Sequence, residues 1–305
     1  MKNLISVIMS TYNEPISMIE KSINSILMQT YPNIQLVLIN DNPERIELGN
    51  YLTQIANDSA KIKYLANKKN MGLVYSLNCG LRNADGDYIA RMDADDISHL
   101  DRIEKQVKYL KENDLDIIGS YVRTIDDYDN VLGSIKVPRD HNTIVRLYKY
   151  GSCLLHPTWF CKKEVFEQLN GYRNIYACED YDFITRCIKL GFKFGNIAFP
   201  LLDYRIRENG ISVSSEAQQK LMMYYISKNR DKILSLNERD FANYLISTEY
   251  TRDLKYINRY IISKNKIKKQ NQYQYILTLI FNKFFYINLI SKMKLNNKSS
   301  QRDLV

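Results

Sequence analysis

The sequence is poor in the residues that build disulfide frameworks and zinc sites. Its 305 residues include three histidines and five cysteines, an odd number, and no two cysteines have the CxxC spacing. His99 and His141 also lack metal-ligand spacing to any cysteine. A disulfide scaffold and a zinc centre are therefore disfavoured, and we expect a reduced, cytoplasmic chain.

Long apolar stretches are also missing from the N-terminal region. Met1-Lys2-Asn3 leads directly into an apolar run over 4–9, which is too short for a signal peptide. Hydrophobic residues make up 45% of the chain and charged residues 25%, as in an ordinary globular protein. We therefore expect one large α/β domain followed by a smaller extension.

Short apolar runs alternate with amphipathic segments through the first hundred residues. The runs 4–9, 33–39 and 62–65 predict buried strands, and the segments 16–29 and 73–82 predict helices. Strands that alternate with helices are joined by right-handed crossovers. The pattern therefore predicts a mostly parallel sheet with helices on both faces.

Three carboxylates follow a predicted strand at 86–90. Asp93, Asp95 and Asp96 lie within four positions, and like charges this close repel each other unless a cation lies among them. Mg²⁺ and Mn²⁺ prefer such oxygen ligands and often share them with a diphosphate. The alternative is a helix over 97–113 that Asp95 or Asp96 caps.

Polar residues follow the other predicted strands as well. Ser10 and Tyr12 come after the first strand, and Asp41 comes after the second. Ligands of parallel sheets bind beyond the carboxyl ends of the strands. We therefore expect these residues and the acidic cluster to share one binding site.

A series of short motifs, in order along residues 3–212, carries a resemblance to a known family. The chain resembles the family-two glycosyltransferases, whose nucleotide-sugar-binding fold is of the GT-A type. Two departures are Ser10, where the family often has proline, and Asn40, where it often has the first of two aspartates. The family's histidine after Tyr204-Arg205 is also absent. The matching segments are 7–13, 25–31, 36–41, 70–72, 77–80, 93–96, 101–102, 156–158, 171–173 and 179–182.

The resemblance implies a UDP-sugar donor and a Mn²⁺ or Mg²⁺ ion held by Asp95 and Asp93. Tyr12 offers a ring for the uracil to stack on, and Asp41 offers an acceptor for its N–H. Because the chain has 24 tyrosines, Tyr12 is alternatively a packing residue, and Asp41 is alternatively part of a turn. The expected donor-binding residues are Ser10, Tyr12, Glu14, Asp41, Asn70, Asn78, Asp93 and Arg205.

A second acidic pair stands before a predicted helix over 181–190. The resemblance makes Asp180 the general base, with Glu179 orienting the sugar or the acceptor; an acidic helix start is the alternative. Direct attack by one acceptor inverts the anomeric carbon, so an α-linked donor gives a β-linked product. The expected acceptor-side residues are His156, Trp159 and Asp182, although His156 is alternatively a hydrogen-bonded packing residue and Asp182 points away from Asp180 on a helix.

A basic segment follows the strand predicted over 199–204. Arg205 and Arg207 lie there, and a loop with Gly210 as its hinge would bring them over the diphosphate. The alternative for both arginines is surface charge. We expect Arg205 to bind the donor and Arg207 to be surface charge.

The net positive charge is concentrated near the C-terminus. From Thr251 to Val305 there are 12 Lys and Arg against 2 Asp and Glu. An interrupted apolar run, 275–290, is shorter than the ~20 residues of a membrane-spanning helix. We expect a helix in an anionic membrane interface; a helix packed on the catalytic domain and a nucleic-acid-binding tail are the alternatives.

Together these features predict an inverting, metal-dependent hexosyl- or N-acetylhexosaminyltransferase at the inner face of the cell membrane. We expect a catalytic domain over 1–214, with a donor half to about residue 110, and a helical extension over 215–305. The expected acceptor is a lipid-linked glycan of capsular or other surface polysaccharide assembly.

Two other classes remain as alternatives. A nucleotidyltransferase or sugar-nucleotide pyrophosphorylase would carry a glycine-rich basic loop after the first strand, but segment 10–15 has neither glycine nor a basic residue. A non-catalytic sugar- or nucleic-acid-binding protein would not need both Asp95 and Asp180.

Overall fold

A computed structural model describes residues 3–207 and 215–270 of the chain, with side chains described as far as Lys266. The strands are β1 Ile5–Thr11, β2 Ile34–Asn40, β3 Ile62–Ala66, β4 Tyr88–Asp93, β5 Ile97–Ser98, β6 Ile117–Ile125, β7 Val131–Ile135, β8 Phe160–Lys162 and β9 Phe194–Arg205. The helices are α1 Ile16–Leu27, α2 Ile46–Asp58, α3 Leu73–Asn83, α4 Arg102–Glu112, α5 His141–Tyr148, α6 Lys163–Gln168, α7 Glu179–Lys189, α8 Glu216–Lys228, α9 Glu238–Leu245 and α10 Thr248–Gln270.

These strands form one sheet in the order β3-β2-β1-β4-β8-β6-β9-β5, with β7 paired to β6. The first four are parallel to one another, and β6 is parallel to β9. Strand β8 is antiparallel to both β4 and β6, and β5 is antiparallel to β9. The predicted α/β architecture with a mostly parallel sheet is confirmed.

Apolar residues fix the position of α1 against the sheet. Ile19, Ile23 and Ile26 follow helical spacing and are buried together with Val7 and Met9 of β1. Burying each such side chain contributes roughly 1.5–3 kcal/mol. The carboxyl end of β1 is thereby held in place for the polar residues that follow it.

The segment after the acidic cluster differs from the helical alternative. Ile97 and Ser98 form β5, whose partners on β9 are Asp203 and Leu202, and α4 begins only at Arg102. The backbone N–H of Ser98 donates to Ser25 Oγ at 3.0 Å. Asp95 and Asp96 therefore do not cap a helix.

Among the described residues, the chain divides into two units. The first comprises 3–144, 153–174 and 190–207, and the second comprises 145–152, 175–189 and 215–270. The whole sheet belongs to the first unit, whereas α7 to α10 belong to the second. The domain boundary expected at residue 214 stays a prediction.

Within 3–207 and 215–270, no helix is both long enough and apolar enough to cross a membrane. The apolar run 275–290 and the hinge residue Gly210 lie outside the described residues.

Candidate functional site

The carboxyl ends of three parallel strands bring the predicted donor residues to one edge of the sheet. Ser10, near the end of β1, has Ile39 of β2 and Asp93 of β4 as its register partners. Asp41 follows β2 directly, and its backbone N–H donates to Thr11 O at 2.9 Å. Ser10, Asp41 and Asp93 therefore meet where ligands of such sheets bind.

The acidic turn after β4 holds its carboxylates close together and partly buried. Asp93 forms an ion pair with the buried guanidinium of Arg91, and its carbonyl accepts a hydrogen bond from Ser22 Oγ at 2.8 Å. Burial and the neighbouring carboxylates of Asp93 and Glu14 raise the pKa of Asp95 to about 6. A cation at Asp95 would relieve this repulsion.

Asp96 lies inside the protein, where it supports the turn. Its side chain is buried, and Oδ1 accepts a hydrogen bond from the backbone N–H of Arg205 at 2.8 Å. Burial and the charges of Asp93 and Asp95 raise the pKa of Asp96 well above its usual range. This position suits a residue that fixes the turn.

The guanidinium of Arg205 holds the acidic turn from the other side. Its side chain is 1% exposed, and Nε donates to Asp95 O at 2.8 Å. Nη2 contacts Asp129 Oδ1 at 2.5 Å, and Nη1 donates to Asp126 O. All three nitrogens are engaged with the protein in this structure, and a role of Arg205 in donor binding stays a prediction.

Arg207 is instead the basic side chain beside the Asp95 carboxylate. Its Nη1 lies 3.4 Å from Asp95 Oδ2, and its side chain is 27% exposed. Surface charge alone had been expected at this position. Of the two arginines, Arg205 is thus the buried one and Arg207 the more accessible one beside Asp95.

The residues present suit a metal ion only if a substrate supplies some of the ligands of the ion. In the described part of the chain, no three His, Cys, Asp or Glu side chains form a group that could hold a metal. Mg²⁺ is commonly bound through one or two carboxylates together with substrate phosphates. Asp95 and Asp93 fit that pattern, provided that Arg207 leaves the Asp95 carboxylate.

Asp41 is buried and shapes the loop that follows β3. Its Oδ1 accepts hydrogen bonds from Asn67 Nδ2 at 2.7 Å and from Met71 N at 2.8 Å, and its Oδ2 accepts one from Gly72 N at 2.9 Å. Asn70 Oδ1 also accepts from Gly72 N, at 3.0 Å. Asp41 and Asn70 therefore set the backbone of this loop.

Asn67 is a site residue that the sequence analysis missed. It follows β3 directly, is buried, and donates to Ser76 Oγ at 2.8 Å as well as to Asp41. The sequence could have revealed Asn67, because it is the first residue after β3, just as Asp41 is the first residue after β2.

Tyr12 presents an accessible ring at the same sheet edge. Its side chain is 39% exposed, and its backbone N–H donates to Glu14 Oε2 at 2.7 Å. Asn42 Nδ2 donates to Asn13 Oδ1 at 2.8 Å, which ties the segments after β1 and β2 together. The exposure of Tyr12 suits a stacking surface better than a packing role.

Asn78 makes reciprocal hydrogen bonds with one backbone position. Its Nδ2 donates to Tyr172 O at 2.8 Å, and its Oδ1 accepts from Tyr172 N at 2.9 Å. Gly171 has φ +71, and a Cβ there would lie 2.5 Å from Asn78 Oδ1. Asn78 therefore clamps this segment to α3.

The aromatic group expected on the acceptor side belongs to the protein interior. Trp159 is 1% exposed and so offers little surface to an acceptor in this structure; its acceptor role stays a prediction. His156 Nε2 lies 2.9 Å from the Tyr172 hydroxyl. Burial lowers the pKa of His156 well below its usual range, and Arg91 adds to the effect, which supports the packing interpretation.

The second acidic pair forms the first turn of α7, within the second unit. Asp180 is partly exposed, and its Oδ1 accepts from Tyr181 N at 2.6 Å, whereas Glu179 is buried. Asp182 is also buried, and its Oδ2 accepts from Arg186 Nε at 2.8 Å. Asp182 is thus paired inside the protein in this structure, and its acceptor role stays a prediction.

The sequence matches the family model of glycosyl transferase family 2 over residues 6–169. An uncharacterized glycosyltransferase of Methanocaldococcus jannaschii is 34% identical, with 79% of this chain and 83% of that protein covered. The O-antigen biosynthesis glycosyltransferase WbnJ of Escherichia coli is 29% identical, with 80% and 93% covered.

Two further comparisons concern a named reaction and a fold. The Escherichia coli UDP-Gal:alpha-D-GlcNAc-diphosphoundecaprenol beta-1,3-galactosyltransferase is 30% identical, with 79% of this chain and 91% of that protein covered. The crystal structure of S. aureus TarS in complex with UDP-GlcNAc aligns with a TM-score of 0.61 at 14% identity, covering 96% of this chain and 92% of that one. The latter likeness supports a shared fold.

Proposed function

The chain belongs to glycosyl transferase family 2, and from that premise we propose that it transfers a sugar from a UDP-sugar to a glycan acceptor with inversion. The observation that carries this proposal is the Asp95 carboxylate, whose pKa is raised by burial and by the nearby Asp93 and Glu14. It lies at the sheet edge where Ser10 and the accessible Tyr12 ring also lie. A diphosphate and a cation together would complete such a site.

The donor is held by groups of the first unit in this proposal. The Tyr12 ring stacks on the uracil, and the loop set by Asp41 and Asn70 lies beside it. Asp95, helped by Asp93, would hold Mn²⁺ or Mg²⁺, which when bound neutralises charge on the leaving diphosphate. Arg207, released from Asp95, contributes a further positive charge.

Asp180 accepts the proton of the attacking hydroxyl. A general base must reach the hydroxyl with an exposed oxygen, and Asp180 is the partly exposed member of the α7 acidic turn. Glu179, which is buried beside it, orients the reacting groups. A single displacement with one base converts an α-linked donor into a β-linked product.

Two relatives support the acceptor class that we propose. One of them acts on a diphosphoundecaprenol-linked sugar, and another belongs to O-antigen biosynthesis. We therefore place this protein in the cytoplasm at the inner membrane face. There it would add a hexose or N-acetylhexosamine to a lipid-linked glycan of capsular or other surface polysaccharide.

A panel of UDP-sugars tests this function. Release of UDP from each donor is measured with Mn²⁺ and with EDTA, and products are examined for their anomeric configuration. We expect at least one UDP-sugar to be consumed only with the metal present and to give a β-linked product. Formation of pyrophosphate from a sugar phosphate and UTP would instead identify a pyrophosphorylase.

A further inference from the structure

Helix α10 presents two opposite stripes of very different character. Positions 252, 255, 259, 262 and 266 are spaced by three and four residues and so lie along one side of the helix. That outer stripe consists of Arg252, Lys255, Arg259, Ile262 and Lys266. The inner stripe consists of Asp253, Ile257, Tyr260 and Lys264.

The inner stripe fixes the rotation of α10 within the second unit. Asp253 is 1% exposed, Ile257 is 2% exposed and Tyr260 is 3% exposed. Lys264 Nζ lies 3.8 Å from Glu216 on α8. Since this side is packed, the opposite side faces outward.

The outer stripe is positively charged and partly apolar. Arg252, Lys255 and Arg259 are exposed, and Ile262 between the last cations is 52% exposed. Glu249 and Asp253 are the acidic residues of α10, but Glu249 lies 3.3 Å from Lys228. Asp253 is buried, although its Oδ1 lies 3.4 Å from Arg252 Nε.

We infer that the outer stripe of α10 docks on an anionic lipid bilayer. Its cations complement lipid phosphates, and the exposed Ile262 can enter the interface. The chain's own residues 271–305 are a poor occupant, because they contain four Lys and one Arg against one Asp. A nucleic acid would match the charge of the stripe but leave Ile262 in water.

This inference gives the proposed function a location, because a lipid-linked acceptor lies at such a surface. It can fail separately from the transferase reaction, since vesicle binding requires neither donor nor acceptor. Conversely, if the protein transfers a sugar but does not bind vesicles, only the membrane inference fails and the proposed donor site stands.

Co-sedimentation of the full-length protein with vesicles tests the stripe. The variant R252Q/K255Q/R259Q is compared with K61Q/K108Q/K193Q, which removes three exposed cations from the first unit. On phosphatidylcholine vesicles containing phosphatidylglycerol, we expect the stripe variant to bind about 100-fold more weakly, at roughly fivefold per cation. The control should bind within about threefold of wild type. Thermal unfolding verifies that both variants fold.

Three further measurements separate charge, apolar contact and polyanion binding. Wild type should bind pure phosphatidylcholine vesicles weakly. The loss of vesicle binding caused by I262N should be larger at high salt than at low salt, because charge is screened at high salt. The inference is overturned if the stripe variant and the control bind the vesicles alike, or if wild type does not bind anionic vesicles. It is also overturned if the stripe variant loses affinity for a DNA duplex but keeps its affinity for vesicles.

Discussion

At the scale of single residues, Asp95 is held in an environment that opposes its charge. Burial, Asp93 and Glu14 all disfavour its ionised form, and Arg207 at 3.4 Å compensates only in part. A carboxylate whose ionised form is destabilised in this way is typical of a functional site. A bound cation would stabilise the ionised form. Because the Asp95 charge is destabilising without a cation, removing it should have opposite effects on UDP binding and on stability.

Replacing Asp95 with asparagine should abolish metal-dependent UDP binding while stabilising the metal-free protein. The amide removes a repelled negative charge, so we expect a gain of roughly 1–2 kcal/mol after allowance for solvent screening. Differential scanning calorimetry in EDTA should show a higher melting temperature. The control is Asp231→Asn, an aspartate that is 90% exposed, which should change neither quantity. A less stable D95N protein would contradict the description of the cluster.

Asp180 carries the chemical step in our account. Asp180→Asn should leave UDP-sugar binding unchanged and lower kcat by a factor on the order of 10² or more, because the amide cannot accept the proton. Binding is measured by calorimetry and turnover by UDP release. Normal turnover would place the base elsewhere, with Glu179 as the next candidate.

Asn78 shows how a motif residue can have a structural role. Asn78→Ala removes both hydrogen bonds to Tyr172 and should cost roughly 1–3 kcal/mol of unfolding free energy. UDP affinity should stay within about twofold of wild type. If instead the affinity falls while the melting temperature holds, Asn78 contacts the donor as the sequence motif suggested.

At the scale of elements, Arg205 joins three parts of the first unit. It ends β9, reaches the acidic turn through Asp95 O, and reaches the β6–β7 hairpin through Asp126 and Asp129. Asp129 also forms an ion pair with Lys21 of α1. The hairpin thereby supports the geometry of the acidic turn.

Arg205→Lys should loosen this turn, because one ammonium cannot replace three separately directed nitrogens. We expect the Mn²⁺ concentration for half-maximal UDP binding to rise about tenfold or more, with a loss of roughly 2–4 kcal/mol in stability. Arg123→Lys is the matched control, since Arg123 pairs with Asp203 at 2.6 Å on the same strands but does not touch the turn. An unchanged Mn²⁺ requirement in R205K would show that Arg205 does not position the turn.

The elements also mark the limit of sequence-based prediction. Strands β1, β2 and β3 were predicted nearly to the residue, because each is a local apolar run bounded by polar residues. Strand β5 was missed because it exists only by pairing with β9, about a hundred positions away. The contact between Asp96 and Arg205 was not predicted for the same reason, since the hydrogen bond from the Arg205 backbone N–H to Asp96 Oδ1 joins distant segments.

At the scale of the whole molecule, the two units differ in the sign of the charge that stands out on each. The sheet edge of the first unit is acidic around Asp95, whereas α10 of the second unit carries its cations on one exposed stripe. The sequence located the positive charge in the C-terminal part of the chain. It did not reveal the stripe, because only the packing of Ile257 and Tyr260 shows which side of the helix faces outward.

Calorimetric titration of UDP into the full-length protein, with Mn²⁺ and then with EDTA, tests the central claim most directly. The claim is that Asp95 and Asp93 hold a cation that binds the donor diphosphate. We predict clear binding with Mn²⁺ and at least tenfold weaker binding with EDTA, since the diphosphate then meets the carboxylates of Asp93 and Asp95 without a metal ion between them. Equal UDP affinity in the two titrations would contradict the account.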